Sequence, residues 1–223
     1  SNINIDLFDK DKILNELSNI LHNSVKTNIK NNFKFGIAFS GGVDSSLLAF
    51  LCKKLKMNFK LYTVSVGERD ELIWAKKVAT NFKIPISTKN IDFDEALEII
   101  KKVTNILKED HPVKIGIGCT LYTVFNLIKN DDLEYAVTGL GCDTLFCGFE
   151  KYKKAFENGS LEKECLHGIK KIYNNDIKRD LKLAKLFNLK LICPYLDKEV
   201  INYAMRIDPK LKINNVEKKI IFR

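Results

Sequence analysis

Apolar residues recur along this chain at two spacings, one typical of helices and one typical of buried strands. Residues 9–29 place apolar side chains on one helix face, whereas residues 34–39 form a continuous apolar run and residues 59–66 alternate and are rich in β-branched residues. The helical spacing predicts helices over residues 9–29, 45–56, 70–82, 92–107, 121–128, 161–173, 176–187 and 198–207, and from 217 onward. The strand spacing predicts strands over residues 34–39, 59–66, 84–90 and 135–138, and Pro85 gives the third of these the character of an edge strand.

The alternation of strands and helices predicts an α/β fold, with a doubly wound, mainly parallel sheet, right-handed crossovers and a C-terminal helical part. We divide the chain into an N-terminal helix (residues 1–32), an α/β core (33–157) and a helical part (158–223) that completes the site. One segment, residues 111–120, breaks the periodicity and leads into the helix predicted from Leu121.

Charge and composition narrow the class of protein. The chain carries 37 basic and 28 acidic side chains, a formal charge of +9. Lysine is spread along the whole sequence beside abundant asparagine and isoleucine, which indicates a solvated basic surface rather than a dedicated RNA-binding face. No apolar stretch has the length of a membrane span and no signal peptide is recognisable, so we expect a cytoplasmic protein with no membrane partner. The last six residues predict a helix without a cap, and we expect the natural chain to continue past Arg223.

The turn after the first predicted strand has the composition of a phosphate site. It reads Ser40-Gly41-Gly42-Val43-Asp44-Ser45-Ser46. The two glycines let the backbone approach a ligand closely, and the unpaired N–H groups at the start of the next helix attract anions. Asp44 would repel a phosphate unless a divalent cation lies between them, so its presence predicts Mg²⁺.

A second glycine-rich turn follows the fourth predicted strand and contains Gly139, Gly141 and Asp143. Ligands of doubly wound sheets bind at the carboxyl ends of the strands. Both turns are predicted at such ends, so we expect Asp44 and Asp143 to share one site.

These motifs resemble a known superfamily. Ser-Gly-Gly-x-Asp-Ser after a strand resembles the loop of the PP-loop ATP pyrophosphatases, which transfer AMP from ATP to a substrate oxygen and release pyrophosphate. Residues 138–149 resemble a segment of the asparagine synthetase C-terminal domain, and so do Arg179-Asp180 and residues 194–197, 204–207 and 218–223. The order of the motifs indicates the asparagine synthetase-like branch, which implies an adenine nucleotide alpha hydrolase-like fold.

The resemblance also implies roles for individual residues, with ATP and Mg²⁺ as cofactors. The pyrophosphate loop would comprise Ser40, Gly41, Gly42, Asp44, Ser45 and Ser46; adenosine would lie against Ala38, Val66, Thr138 and Gly139; Asp44 and Asp143 would hold the metal. Lys219 matches a lysine that stabilises charge at the α-phosphate, and the alternative is an exposed lysine in a lysine-rich tail. Asp44, Asp143 and Lys219 are thus the catalytic candidates.

Two positions depart from the family pattern. Leu140 stands where the family has a glutamate, or a tyrosine in its lactam-forming branch, and leucine cannot act as a general base. Thr144 replaces a second carboxylate. The chain also opens without the catalytic cysteine of a glutaminase domain, so we expect it to need free ammonia or a separate glutaminase.

Six cysteines occur, none in a Cys-x-x-Cys pair, and disulfides are not expected in a cytosolic protein. Cys119, Cys142 and Cys147 all lie near the predicted site. They are fillers of small spaces, or ligands of an iron–sulfur cluster with Cys193 as a fourth candidate, or one of them carries a persulfide. Cys165 has no motif context.

The sequence therefore leaves three hypotheses for the function. The first is an ATP-dependent adenylating ligase that activates a carboxylate for amidation, and the second is a PP-loop enzyme that thiolates tRNA with the help of cysteines or an iron–sulfur cluster. The third is a degenerate nucleotide-binding subunit that acts with a separate glutaminase. The expected partners are a small-molecule acceptor or tRNA, a glutaminase or sulfur donor, and a second copy in a homodimer.

Overall fold

A computed structural model describes residues 7–30, 33–67 and 70–222. The helices of this part of the chain are α1 (Lys10–Asn28), α2 (Val43–Lys54), α3 (Asp70–Asn81), α4 (Phe93–Leu107), α5 (Pro112–Asn130), α6 (Cys142–Leu145), α7 (Glu150–Glu157), α8 (Leu161–Ile172), α9 (Lys178–Leu186) and α10 (Lys198–Arg206). The strands are β1 (Lys34–Ala38), β2 (Asn58–Val66), β3 (Ile86–Ile91), β4 (Tyr135–Val137) and β5 (Lys190–Ile192). No helix within these ranges is long and apolar enough to span a membrane.

The five strands form one sheet in the order β3-β2-β1-β4-β5, and every pair is parallel. The α/β fold with a parallel sheet is thereby confirmed, and β3 is an edge strand as Pro85 predicted. β5 was not predicted from the sequence, because a three-residue strand with an exposed Lys190 carries little periodicity. The strand order reverses between β1 and β4, which makes their carboxyl ends the topological switch point of the sheet.

The central strands of the sheet are buried on both faces. On one face, Tyr62 and Ala136 pack with apolar residues of α5 and α9 such as Phe125 and Leu183. Residues that alternate with these along the strands, including Phe35, Ile37 and Leu61, are also fully buried. A sheet covered on both faces requires apolar residues at successive strand positions, which explains the continuous apolar run in β1.

Two helical predictions were wrong in detail. Residues 112–130 form one continuous helix, α5, although residues 111–120 lack the apolar periodicity of a helix. Pro112 lies in its first turn, where a missing N–H costs nothing, and Gly118 lets Val103 and Leu107 of α4 approach closely. The helix predicted from residue 217 is instead a short 3₁₀ turn over Ile220–Phe222; Arg223 lies outside the described residues.

The chain divides into two compact units that alternate along the sequence. The sheet unit comprises the described parts of Ile29–Thr138 and Asn175–Ile192, and contains all five strands with α2–α5 and α9. The helical unit comprises the described parts of Ser1–Asn28, Gly139–Asn174 and Cys193–Arg223.

The packing of the sheet makes a prediction about Gly36 of β1. A Cβ at this position would lie 2.8 Å from Tyr62 Cε2 and 2.5 Å from Ile128 Cγ1, in a region with no free space. We expect Gly36→Ala to lower the free energy of unfolding by about 1–3 kcal/mol through overpacking. A Cβ at Gly116 of α5 meets nothing within 4 Å, so Gly116→Ala should raise stability by about 0.5–1 kcal/mol. Urea unfolding of both variants checks this, and equal effects of the two substitutions would contradict it.

Candidate functional site

The turn between β1 and α2 is held in place by α3. Gly41 has a left-handed backbone (φ +74°), and a Cβ there would lie 2.9 Å from Ala75 Cα and 3.0 Å from Trp74 Cδ1. Trp74 Nε1 donates a hydrogen bond to the Gly41 carbonyl oxygen (3.0 Å). Because both the conformation and the lack of space exclude a side chain, this close turn requires glycine.

Serine hydroxyls line the inside of the turn. Ser40 Oγ lies 3.2 Å from Ser45 Oγ and accepts the Gly42 N–H (3.2 Å), while Ser45 Oγ donates to the Gly42 carbonyl (3.2 Å). Ser46 Oγ is shielded from solvent and has no hydrogen-bond partner among the described residues. Gly42 begins α2 without a side-chain cap, so the first N–H groups of the helix remain available to a ligand. An anion such as phosphate fits this set of donors.

The adenosine candidates of the sheet unit lie at the carboxyl ends of three neighbouring strands. Ala38 ends β1, Val66 ends β2 and is 42% exposed, and Thr138 follows β4 with its N–H bonded to the Ile192 carbonyl (3.0 Å). The placement matches the prediction made from the strand pattern. Their contact with adenosine stays a prediction.

A pocket of about 500 Å³ adjoins Val66 in the sheet unit. It lies at the carboxyl ends of β2 and β3, and its walls are mainly apolar residues of α4 and α5 such as Ile99 and Ile115. Cys119 lines it and is half-buried, and burial raises the pKa of this thiol. The pocket was not predicted from the sequence, because the first half of α5 does not show a helical pattern of apolar residues.

In the helical unit, Asp143 and Lys219 form an ion pair. Asp143 Oδ1 lies 2.6 Å from Lys219 Nζ, and the Lys219 side chain is 16% exposed. The pair sits directly over Gly148, where a Cβ would overlap both Asp143 Oδ1 and Lys219 Cε. The interpretation of Lys219 as an exposed tail lysine is therefore wrong.

Aromatic and backbone contacts hold Lys219 in position. Phe222 packs edge-on against Phe146, with ring centroids 4.5 Å apart, and Ile221 is buried. The Ile220 N–H donates to the Lys212 carbonyl (3.0 Å). These contacts dock the segment through a 3₁₀ turn rather than the helix that the sequence predicted.

Comparison with known proteins bears directly on these two sets of residues. The family model for asparagine synthase matches residues 16–162 and 154–223, which together take in both the Ser40–Ser46 turn and the Asp143–Lys219 pair. The chain belongs to the asparagine synthase family.

Individual members of the asparagine synthase family support this. The chain is 31% identical over 206 residues to a putative glutamine-hydrolyzing asparagine synthetase of Methanocaldococcus jannaschii, a match that covers 91% of this chain and 38% of that protein. It is 27% identical over 223 residues to the mouse enzyme, covering 96% of this chain and 40% of the relative. The chain thus spans about two-fifths of the length of these relatives. An NH₃-dependent NAD synthetase from Campylobacter jejuni matches at 18% identity with a TM-score of 0.42, over 89% of this chain and 92% of that chain.

The motif Arg179-Asp180 is a buried ion pair in the sheet unit. Arg179 Nε and Nη2 each lie 2.7 Å from Asp180 Oδ1, and Arg179 Nη1 lies 3.2 Å from Asp176 Oδ1. The side chains of Arg179 and Asp180 are 7% and 3% exposed. A one-turn π-helix over Tyr173–Ile177 precedes the pair and carries Asp176.

Residues 194–197 connect two helices of the helical unit. Asp197 caps α10 by accepting the Glu199 N–H (2.9 Å), and it also accepts a bond from Asn28 Nδ2 of α1 (2.9 Å). Ser24 Oγ donates to the Pro194 carbonyl (2.7 Å). The motif therefore joins α1 to α10, a structural role that the sequence did not reveal.

The predicted cysteine cluster receives no support. Cys147 Sγ contacts Cys165 Sγ at 3.5 Å, a partner that no motif indicated. Among the described residues no group of three or more Cys, His, Asp or Glu side chains is arranged to hold a metal ion. Cys142 is fully buried, and Leu196 packs against the neighbouring Gly141. This close packing favours the interpretation of Cys142 as a filler of a small space.

The buried position of Asp180 predicts a pH dependence. Burial raises its pKa from 3.8 to about 6, although Arg179 opposes the shift. The folded state thus binds this proton more readily than the unfolded chain, so the contribution of Asp180 to stability increases as pH falls from above 6 towards 4. Urea unfolding at several pH values should show the wild type gaining stability relative to Asp180→Asn over that interval. A difference between the two proteins that is independent of pH would contradict the prediction.

Proposed function

We propose that this chain is the ATP-dependent, AMP-forming part of an amide-forming ligase. The observation that carries the proposal is the Ser40–Ser46 turn, a glycine-constrained cradle of hydroxyl and N–H donors at the switch point of a parallel sheet, in a member of the asparagine synthase family. Donors of this kind suit the pyrophosphate end of ATP.

The first step is the transfer of AMP to a carboxylate. A carboxylate oxygen of the acceptor attacks the α-phosphorus, the bond between the α-phosphorus and the bridging oxygen breaks, and pyrophosphate leaves. The hydroxyls of Ser40, Ser45 and Ser46 and the first N–H groups of α2 stabilise the negative charge that develops on this leaving group. The Lys219 ammonium neutralises charge at the α-phosphate.

We assign Asp44 and Asp143 to Mg²⁺. Both are carboxylates, the donor type that this cation prefers, and each follows a glycine-rich turn. When bound, Mg²⁺ would offset the charge of the phosphates. In the structure Asp143 faces Lys219, whose ammonium keeps this carboxylate oriented by charge.

The second step is the attack of a nitrogen nucleophile on the acyl carbon, which releases AMP. Leu140 and Thr144 offer no carboxylate to take the proton of the nucleophile. The curated relatives are named glutamine-hydrolyzing, and we propose that ammonia reaches this chain from a glutaminase outside residues 1–223. The acceptor is proposed at the level of its class, a small carboxylate.

An isotope-transfer assay tests the proposal. The 223-residue chain is incubated with ATP, MgCl₂, ammonium chloride as the nitrogen source and a panel of carboxylates labelled with ¹⁸O. We expect pyrophosphate release, and one ¹⁸O atom in the AMP formed with the true acceptor. ADP and phosphate as products, or AMP that carries oxygen from water instead, would refute the adenylation of a carboxylate.

A further inference from the structure

Two free thiols in the core of the helical unit lie unusually close together. Cys147 follows α6 and Cys165 lies on α8, and their Sγ atoms are 3.5 Å apart. They are 0% and 2% exposed, within a cluster that includes Tyr152, Leu161 and Ile213. A disulfide bond is about 2.05 Å long, so the two sulfur atoms need to approach by only about 1.5 Å to become bonded.

A buried lysine accompanies the thiols. Lys212 is 1% exposed, and its Nζ donates to the Ala204 carbonyl (2.5 Å). Burial lowers the pKa of Lys212, while the neighbouring cysteines oppose this effect by favouring its charged form. A buried ammonium close to thiols stabilises a thiolate, which is the nucleophilic form of cysteine.

A hydrogen bond couples the two thiols, and either sulfur can be the donor. The hydrogen bond with Cys147 lowers the pKa of Cys165, and Lys212 adds to this. The same hydrogen bond, together with burial, raises the pKa of Cys147. A thiolate on either cysteine therefore has a second thiol at 3.5 Å to resolve its oxidised product.

The pair is linked to the proposed catalytic residues through the backbone. Cys147 has a left-handed conformation (φ +59°) and precedes Gly148, on which the Asp143–Lys219 ion pair sits. The Gly148 N–H donates to the Asp143 carbonyl (2.8 Å). A shift of Cys147 towards Cys165 consequently displaces the backbone that supports Asp143 and Lys219.

We propose that Cys147 and Cys165 are a site of reversible oxidation by peroxide, and that the disulfide they form disturbs the Asp143–Lys219 pair. One of the two cysteines, as its thiolate, attacks one oxygen of hydrogen peroxide, the O–O bond breaks, and the departing hydroxide takes up a proton to become water. The product is a sulfenic acid on that cysteine. The sulfur of the other cysteine then displaces the hydroxyl group, which leaves as a second water with the thiol proton. Two thiols and one peroxide thus yield one disulfide and two waters, and a dithiol reductant reverses the change.

Peptide mass spectrometry tests the site directly. The whole chain is treated with hydrogen peroxide, its remaining thiols are blocked with N-ethylmaleimide, and the digest is analysed with and without dithiothreitol. We expect a peptide that joins Cys147 to Cys165, lighter than the two reduced peptides by two hydrogen atoms. Cys52 is the internal control: it is equally buried, and burial raises its pKa to about 12, so it should remain a thiol. Oxidation of Cys52 at the same rate, or peroxide-treated protein in which Cys147 and Cys165 stay reduced, would overturn the proposal.

The effect of the disulfide on the proposed catalytic residues is measured separately, as the rate of AMP formation. AMP formation should fall by about tenfold or more in the oxidised protein, since a displacement near 1 Å has large effects on a catalytic group, and it should recover with dithiothreitol. Cys165→Ala and Cys147→Ala should both be insensitive to peroxide. A disulfide between Cys147 and Cys165 that leaves AMP formation unchanged would refute only the proposed effect on the Asp143–Lys219 pair. A chain that forms no AMP even when reduced would refute the proposed function, while the mass spectrum would still decide the oxidation site.

Discussion

Replacing Lys219 with methionine is expected to lower the rate of AMP formation by about 100- to 1,000-fold, the usual effect of removing one preorganised electrostatic group. Lys219 Nζ is held 2.6 Å from Asp143 Oδ1, and its side chain is largely buried between this carboxylate and Gly148. A fixed, partly desolvated ammonium does not have to reorganise when charge develops on the phosphate. Methionine keeps the unbranched apolar stem of the side chain but loses the terminal charge.

The neighbouring lysine provides a matched control. Lys218 Nζ pairs with Glu150 Oε2 at 2.7 Å on the surface, where the two side chains are 36% and 65% exposed. Ion pairs of this kind contribute about 0–1 kcal/mol to stability, so Lys218→Met should change AMP formation by less than about twofold. Pyrophosphate release under saturating ATP measures both variants. Equal losses in the two, or an unchanged rate in Lys219→Met, would remove Lys219 from the mechanism.

Replacing Arg179 with leucine is expected to destabilise the protein by about 3–5 kcal/mol. Arg179 contacts both Asp176 and Asp180, and Asp180 is the more deeply buried of the two. Without the guanidinium the Asp180 carboxylate remains in the core with no charge to offset its lost hydration. Because burial already raises its pKa to about 6, the loss of Arg179 should raise it further, and the destabilisation should shrink at acid pH.

Urea unfolding of a double-mutant cycle checks the Arg179 prediction. The double variant Arg179→Leu/Asp180→Leu should recover much of the lost stability, because an apolar pair needs no compensating charge. Lys101→Ala serves as the control, since Lys101 and Glu98 form a surface pair at 3.6 Å, and it should change stability by about 0.5 kcal/mol or less. A cost for Arg179→Leu as small as that of Lys101→Ala would contradict the prediction.

The sequence was sufficient for most of the sheet, because buried parallel strands leave continuous apolar runs such as that of β1. The sequence did not predict the first half of α5. Glycine and proline break a helix only where their backbone conformation or packing is incompatible with it. Pro112 lies in the first turn, and Gly118 makes space for α4, so neither disrupts α5. The apolar pattern of a single segment does not contain this information.

Some residues of the candidate site could likewise be predicted from local sequence, and others could not. The Ser40–Ser46 turn follows from local composition, since its glycines and serines act on their own neighbours. Lys219 was indicated only by resemblance, because its contact with Asp143 depends on how distant segments pack. The proximity of Cys147 and Cys165 had no signal at all, since it depends on the path of the chain through α7 into α8.

The alternation of the two units along the sequence has a consequence for synthesis on the ribosome. The helical unit needs residues from near the start of the chain and from its last segments, which meet in the bridge between Leu7 and Ile207. Most of the sheet unit emerges earlier, so it is available to fold while the helical unit is still incomplete. The Asp143–Lys219 pair can form only after residue 219 has left the exit tunnel. A nascent chain therefore contains its proposed nucleotide cradle before its proposed catalytic lysine, and a product truncated before residue 219 would have the first without the second.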